Sequence, residues 1–294
     1  MFKHSLLSFF TLTLLFILTN ALSADPSQCT CFRTSQSDIF TNHKRLYLTG
    51  DKAKESSDTF FRGLTAPSYG GTGTTNPNTM SASNVNFTKD YLELKTWNVG
   101  GKQHSTGLES IPANILYGSF RARFSVTGSP GGVAGFFTFK EGGKDECDIE
   151  ILTDEAHNTI RYANHGGDHP NIAYNGTYDW TQFLTHRFDW TSKASTFWVN
   201  GKKVHEMNTG MPTQPSTLSL NMWSSGPGWG GNMAPGGEAR MRIKWIDAFY
   251  NVSGETGAPK GKKAVDQYGG QNAQPGAGLA GCKVLCDVVE SSKT

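Results

Sequence analysis

Between Asp145 and Leu152 the chain reads Asp-Glu-Cys-Asp-Ile-Glu-Ile-Leu. In an extended strand successive side chains point to opposite faces, so Glu146, Asp148 and Glu150 share one face and Cys147, Ile149 and Ile151 the other. The second face is apolar throughout and asks for a core. The first carries three carboxylates within five residues, although Asp and Glu are depleted in strands and like charges this close repel. A chain with this segment has to build a sheet that packs on one side and leaves charge on the other.

The rest of the sequence reads as more of the same sheet. Residues 120–126, 135–139, 147–152, 159–164, 187–190, 196–199 and 218–223 are short runs at strand spacing. Asn200-Gly201, set between Phe-Trp-Val and Lys-Lys-Val, is the type I′ hairpin signal. Residues 240–245 alternate Arg-Met-Arg-Ile-Lys-Trp, which predicts Met241, Ile243 and Trp245 facing inward. No segment sustains a helical period. With 34 glycines, 12% aromatic and 18% charged residues, the composition is the reverse of a coiled coil or helical repeat. The expected fold is all-β, a two-sheet antiparallel β-sandwich in a single domain.

The ends of the chain indicate its compartment. Lys3 and His4 precede an apolar run over residues 6–18, and Ala21-Leu22-Ser23 supplies the small residues of a cleavage site. This predicts a signal peptide over 1–23, a sandwich domain over 24–253 and a Gly/Pro-rich tail with a cysteine pair over 254–294. Residues 64–84 read as loop. Residues 287–294 are mostly polar, so neither a lipid-anchor tail nor a membrane anchor is expected. Sequons at Asn86, Asn175 and Asn251 agree with export. Cys29, Cys31, Cys282 and Cys286 lie at the two ends, where two bridges tying the ends together are expected, in any of three connectivities. Cys147 reads as a buried free thiol. Lys plus Arg is 27 against 25 Asp plus Glu, a balance that gives no footprint for nucleic acid.

Three readings fit the carboxylate face. A solvated strand would need basic neighbours, yet Phe137, Phe139, Tyr162 and Trp223 are the companions at hand. A Ca²⁺ site would draw on loop oxygens rather than regular strand. Sugar chemistry needs two carboxyl groups, one protonated and one ionised, and mutual repulsion among three raises at least one pKa. Such a titration belongs to the cluster as a whole. Phe137, Tyr162, Asn164, Trp223 and Trp229 are the candidate sugar-binding residues, since sugar faces stack on aromatic rings and hydroxyls need amide partners. His165, Asp168 and His169 read as a loop with solvated histidines rather than a metal site, and Trp190 and Trp245 read as core.

Glu146-Cys-Asp-Ile-Glu150 resembles the E-x-D-x-E signature of glycoside hydrolase family 16, in the form without an inserted bulge residue. Tyr117-Gly-Ser-Phe-Arg-Ala-Arg-Phe, His186-Arg-Phe-Asp-Trp190, Ser195-Thr-Phe-Trp-Val-Asn-Gly201 and Leu218-Ser-Leu-Asn-Met-Trp223 are similar to its surrounding strands. The likeness covers residues 91–250. Cys147 departs from the commoner Ile or Leu. The resemblance implies a concanavalin-like jelly roll with an open concave cleft, with Glu146 as nucleophile, Glu150 as general acid/base and Asp148 as the assistant bonded to the nucleophile. It implies a retaining endo-β-glucanase acting on β-1,3 or β-1,3-1,4 glucan without a required cofactor; the signal peptide predicts that it is secreted, and a monomer is the default expectation. Family members often carry a structural Ca²⁺, for which no ligands stand out here. A cell-wall glucan/chitin transglycosylase with the same carboxylates and a non-catalytic lectin are the alternative functions.

Overall fold

The computed structural model describes residues 28–36, 38–63, 78–140, 142, 145–167, 169–225, 228–254 and 282–288. The expected signal peptide, most of the expected loop at 64–84, Asp168 and most of the tail lie outside the described residues. Among the described residues the chain is almost entirely strand. It begins with β1 (Cys31–Arg33), β2 (Ile39–Phe40), β3 (Asn42–Tyr47), a short helix α1 (Ala53–Asp58), β4 (Phe61–Gly63), β5 (Asn78–Met80) and β6 (Asn86–Phe87). Next come β7 (Leu92–Val99), β8 (Lys102–Ser110), β9 (Ile115–Gly128), β10 (Val133–Phe139), β11 (Glu146–Leu152), β12 (Thr159–Asn164) and β13 (Asn171–Asn175). The series closes with β14 (Leu184–Trp190), β15 (Ser195–Val199), β16 (Lys202–Met207), β17 (Thr217–Trp223), β18 (Glu238–Val252) and β19 (Leu285–Asp287).

Two layers face each other. One runs β13-β12-β11-β10-β17-β8, the other β7-β18-β9-β14-β15-β16, and pairing of β7 with β8 joins them into one sheet folded on itself. Between them lies a single large core. Cys147, Ile149, Ile151, Phe136 and Leu220 from the first layer meet Phe120, Phe124, Phe188, Met241 and Ile243 from the second. Burying a side chain the size of Ile149 or Ile151 contributes roughly 1.5–3 kcal/mol, and this anchors the strand whose other side carries the acids. Cys147 is a free, buried thiol, as its parity requires. Asn200 and Gly201 both take positive φ, 49° and 78°, giving the type I′ turn between β15 and β16.

Trp245 departs from the expected alternation. Ile243 opposes Phe124 and Trp245 opposes Arg123, so Lys244 is an extra residue that bulges the strand and reverses its parity. Met241 and Ile243 face the core as expected; beyond the bulge Ile246 and Ala248 take that role. Trp245 is buried on the opposite side, under the Arg45 guanidinium at 4.6 Å from its ring. Residues 78–80, read as loop, instead form the parallel partner of β8.

Outside the second layer sits a small sheet, β19-β1-β2. Phe32 and Phe40 pack it onto Phe249 of β18. Disulfides Cys29–Cys286 and Cys31–Cys282 lock β1 to β19, resolving the connectivity that spacing left open. Asp247 lies nearby, ion-paired to His43 at 2.6 Å and to Arg45 at 2.8 Å.

Candidate active site

The outer face of the first layer is set by strand register. Across β11, β10, β17 and β8, Glu150 aligns with Gly135, Asn221 and Gly107, and Asp148 with Phe137, Ser219 and Glu109. Glu146 aligns with Phe139 and Thr217. Directly paired residues share a face, so all three carboxylates stand on the side turned away from the core. Gly135 keeps space beside Glu150: a Cβ there would come within 2.6 Å of the Asn221 side-chain oxygen. Phe137 lies on the floor next to Asp148, and Trp223 stands half-buried beyond Val133.

Tyr162 and Asn164, expected on this face, point the other way. Tyr162 pairs with Ile149 and Asn164 with Cys147, so both share the core side of β12. Each is fully buried: Tyr162 stacks on Phe197 at 4.5 Å, and the Asn164 amide donates to the Thr209 carbonyl. The residues of β12 that do reach the acidic face are Arg161, opposite Glu150, and Ala163, opposite Asp148. Just past the strand, the His165 backbone N–H donates to the Glu146 carbonyl and continues the ladder. This puts His165 Nε2 3.1 Å from Asp148 Oδ2 and 3.9 Å from Glu146 Oε2. His165 is therefore part of the site rather than a solvated loop residue.

Trp229 lies on the same side, 42% exposed, with its indole N–H donating to Glu150 Oε2 at 2.8 Å. The Arg161 guanidinium covers its ring at 4.7 Å and is ion-paired to Glu155 in the turn after β11. Gly231 lets this loop approach: its φ is +76°, and a Cβ would meet the Asp154 carboxylate at 2.5 Å.

Burial pushes all three acids up, and repulsion within the row adds to it at Glu146 and Asp148. Glu146 is raised to about 7, by burial first and then by the Asp148 charge, with His165 opposing. Asp148 is raised by burial and by Glu150. Glu150 is raised by burial, against the pull of the Trp229 N–H, His165 and Arg161. The cluster thus retains protons well above the ordinary carboxylate range. Glu146, Asp148 and His165 also offer donor atoms within 4.8 Å of one another. Two carboxylates and an imidazole do not make the six-to-eight-oxygen cage that Ca²⁺ takes, so the family's structural calcium does not fit this group.

The family model described as glycosyl hydrolases family 16 matches residues 72–247. The chain belongs to this family. Its relatives include a β-glucanase of Paenibacillus polymyxa, 31% identical over 153 residues, which are 50% of this chain and 64% of that protein. A second β-glucanase, from Bacillus amyloliquefaciens, is 30% identical over 37% of this chain and 48% of its own length. The chain thus spans less than two thirds of either relative. Among solved structures, a β-1,3-1,4-glucanase (lichenase) from a mouse hindgut metagenome superposes with a TM-score of 0.59 at 18% identity. That match covers 72% of this chain and 99% of the other, and it shows that the family 16 chain has the jelly-roll sandwich fold.

Proposed function

We propose that this family 16 chain is a secreted, monomeric, retaining endo-β-glucanase that cleaves β-1,3 or β-1,3-1,4 glucan. The observation that carries the reading is the row Glu146, Asp148 and Glu150 on one outer sheet face, with burial and repulsion holding protons on the row near neutral pH. The β-glucanases among its relatives support the substrate class.

In this reading Glu146 attacks the anomeric carbon while Glu150 passes its proton to the departing glycosidic oxygen. The C–O bond to the leaving sugar breaks as the bond to Glu146 forms. Water then attacks the glycosyl-enzyme, gives its proton to Glu150, and releases Glu146. Asp148, flanked by both glutamates, holds a proton that it shares with Glu146, so the nucleophile keeps its orientation and leaves with less charge to repel. His165 beside the pair favours the ionised form. Phe137, Trp223 and Trp229 line the face on which a sugar chain would lie. No step requires a metal or cofactor.

The test is a product assay on laminarin, mixed-linkage glucan and chitin oligomers, each with and without a labelled acceptor oligosaccharide. Shortened glucan without labelled product, lost in Glu146→Gln, supports the hydrolase. Long labelled products would reassign the chain as a transglycosylase. Binding without turnover, equal in both proteins, would leave a lectin.

A further inference from the structure

The loop that carries Trp229 does more than offer a ring to the sugar. Its indole N–H is spent on Glu150 Oε2, and one ring face is taken by Arg161, which is itself held by Glu155. Arg161 reaches that position because it sits opposite Glu150 in the β11–β12 ladder, while Glu155 lies at the end of the same hairpin. Side chains from two segments far apart in sequence thus form a chain that ends on one carboxyl oxygen: Glu155 holds Arg161, Arg161 covers the Trp229 ring, and Trp229 donates to Glu150 Oε2. We propose that Trp229, braced by Arg161 and Glu155, is the positioning residue of the acid/base: it fixes one oxygen of Glu150 so that the other is presented to the glycosidic oxygen. This rests on the assignment of Glu150 above.

The arrangement has an electrostatic side as well. An N–H aimed at a carboxylate stabilises its ionised form, and Trp229 and Arg161 both oppose the burial that raises Glu150. An acid that must also act as base in the second half-reaction works best when neither state is trapped.

The test is Trp229→Phe, which keeps an aromatic ring and removes the N–H, beside Trp229→Ala and Arg161→Gln. A positioning role predicts that Phe fails to rescue Ala: kcat falls roughly tenfold in both with KM little changed, and the alkaline limb of the kcat profile moves up by about one pH unit. Arg161→Gln moves that limb the same way by less. A sugar-stacking role alone predicts the opposite split, with KM raised in Ala, restored in Phe, and the limb unmoved; that result overturns the proposal. A ¹³C-detected titration of the Glu150 carboxyl in wild type and Trp229→Phe reads the same shift without substrate. A wild type that turns nothing over would sink the enzyme reading, and an unmoved Glu150 titration would sink the positioning role of Trp229.

An independent observation separates the three sequons. Asn86 is exposed on β6 at a sheet edge, and Asn175 is exposed at the end of β13, the edge strand of the first layer. Asn251 is 5% exposed within β18; its side-chain oxygen accepts from the Thr41 N–H at 3.0 Å and its amide donates to the Ile39 carbonyl. We infer that, on export through a eukaryotic secretory pathway, Asn86 and Asn175 carry N-linked glycans and Asn251 stays bare. In that transfer the amide nitrogen bonds to C1 of a lipid-diphosphate oligosaccharide, the lipid diphosphate leaves, and one amide proton is released. A glycan on Asn251 would take the amide that ties β18 to β2. Enzymatic hydrolysis of the glycan–asparagine amide bond in ¹⁸O water, with the glycosylamine leaving, followed by peptide mapping should convert residues 86 and 175 to labelled Asp. Label at 251, or none at 86 and 175, would overturn the inference.

Discussion

His165 Nε2 stands 3.1 Å from Asp148 Oδ2, closer to the middle acid of the row than to either glutamate. A cationic or donating imidazole there favours the ionised form of Glu146. Removing it in His165→Ala raises the Glu146 pKa further above its ordinary value. Because a nucleophile must be ionised, the acidic limb of the kcat/KM profile should move to higher pH. Loss of one contact to a charged group costs roughly 1.5–3 kcal/mol, so kcat/KM near neutral pH should fall about 10–100-fold. A pH–rate profile of the variant checks both.

The same acids weaken the fold at neutral pH. A carboxyl whose folded pKa lies above its unfolded value disfavours folding once it is forced to ionise, and this penalty fades as pH falls through the folded value toward the unfolded one. For Glu146, raised to about 7, the window runs from about pH 7 down to about 4.5. Glu146→Gln should therefore raise stability at pH 8 by up to about 3 kcal/mol and change it little at pH 4. Urea denaturation at both pH values tests this, and an increase confined to low pH would contradict it.

His186 gives the opposite dependence. It lies fully buried against Phe124 with ring centroids 4.0 Å apart, and burial lowers its pKa to about 3. A histidine held neutral in the fold but free to protonate when unfolded loses stability as pH falls from about 6.5 toward 3. The slope is about 1.4 kcal/mol per pH unit. Replacing it in His186→Leu should flatten that part of the stability curve, whatever the variant's absolute stability. Denaturation midpoints between pH 7 and 4 give the comparison.

The two terminal bridges should prove strongly non-additive. Cys29–Cys286 and Cys31–Cys282 span 257 and 251 residues and so enclose nearly the same loop. With either in place, the other closes only the few residues between them. Removing one pair by Cys→Ala substitution should cost roughly 2–3 kcal/mol, and removing both more than twice that. Thermal unfolding of the two double variants and the quadruple variant decides it.

The acidic strand was legible because its alternation is nearly pure: apolar Cys147, Ile149 and Ile151 leave its face in no doubt. The hairpin at Asn200-Gly201 was equally legible, since only residues that tolerate positive φ fit there. Tyr162 and Asn164 were misplaced because both residue types live on either face. The usable signal lay in their neighbours, Ile160 sharing their parity and Arg161 opposing it. The site role of His165 depends on ladder register beyond the end of β12, which no single segment encodes. Trp245 was misread because a one-residue bulge carries no local signature beyond two consecutive apolar residues, Trp245 and Ile246.

The terminal sheet also governs how this molecule bears load. β1 and β19 run parallel, side by side and covalently joined. Tension applied between residues 28 and 288 passes through a few residues and two sulfur bridges without reaching the sandwich. In an oxidising medium the jelly roll is mechanically short-circuited, and a pull on its ends meets covalent bonds before it meets a single core contact.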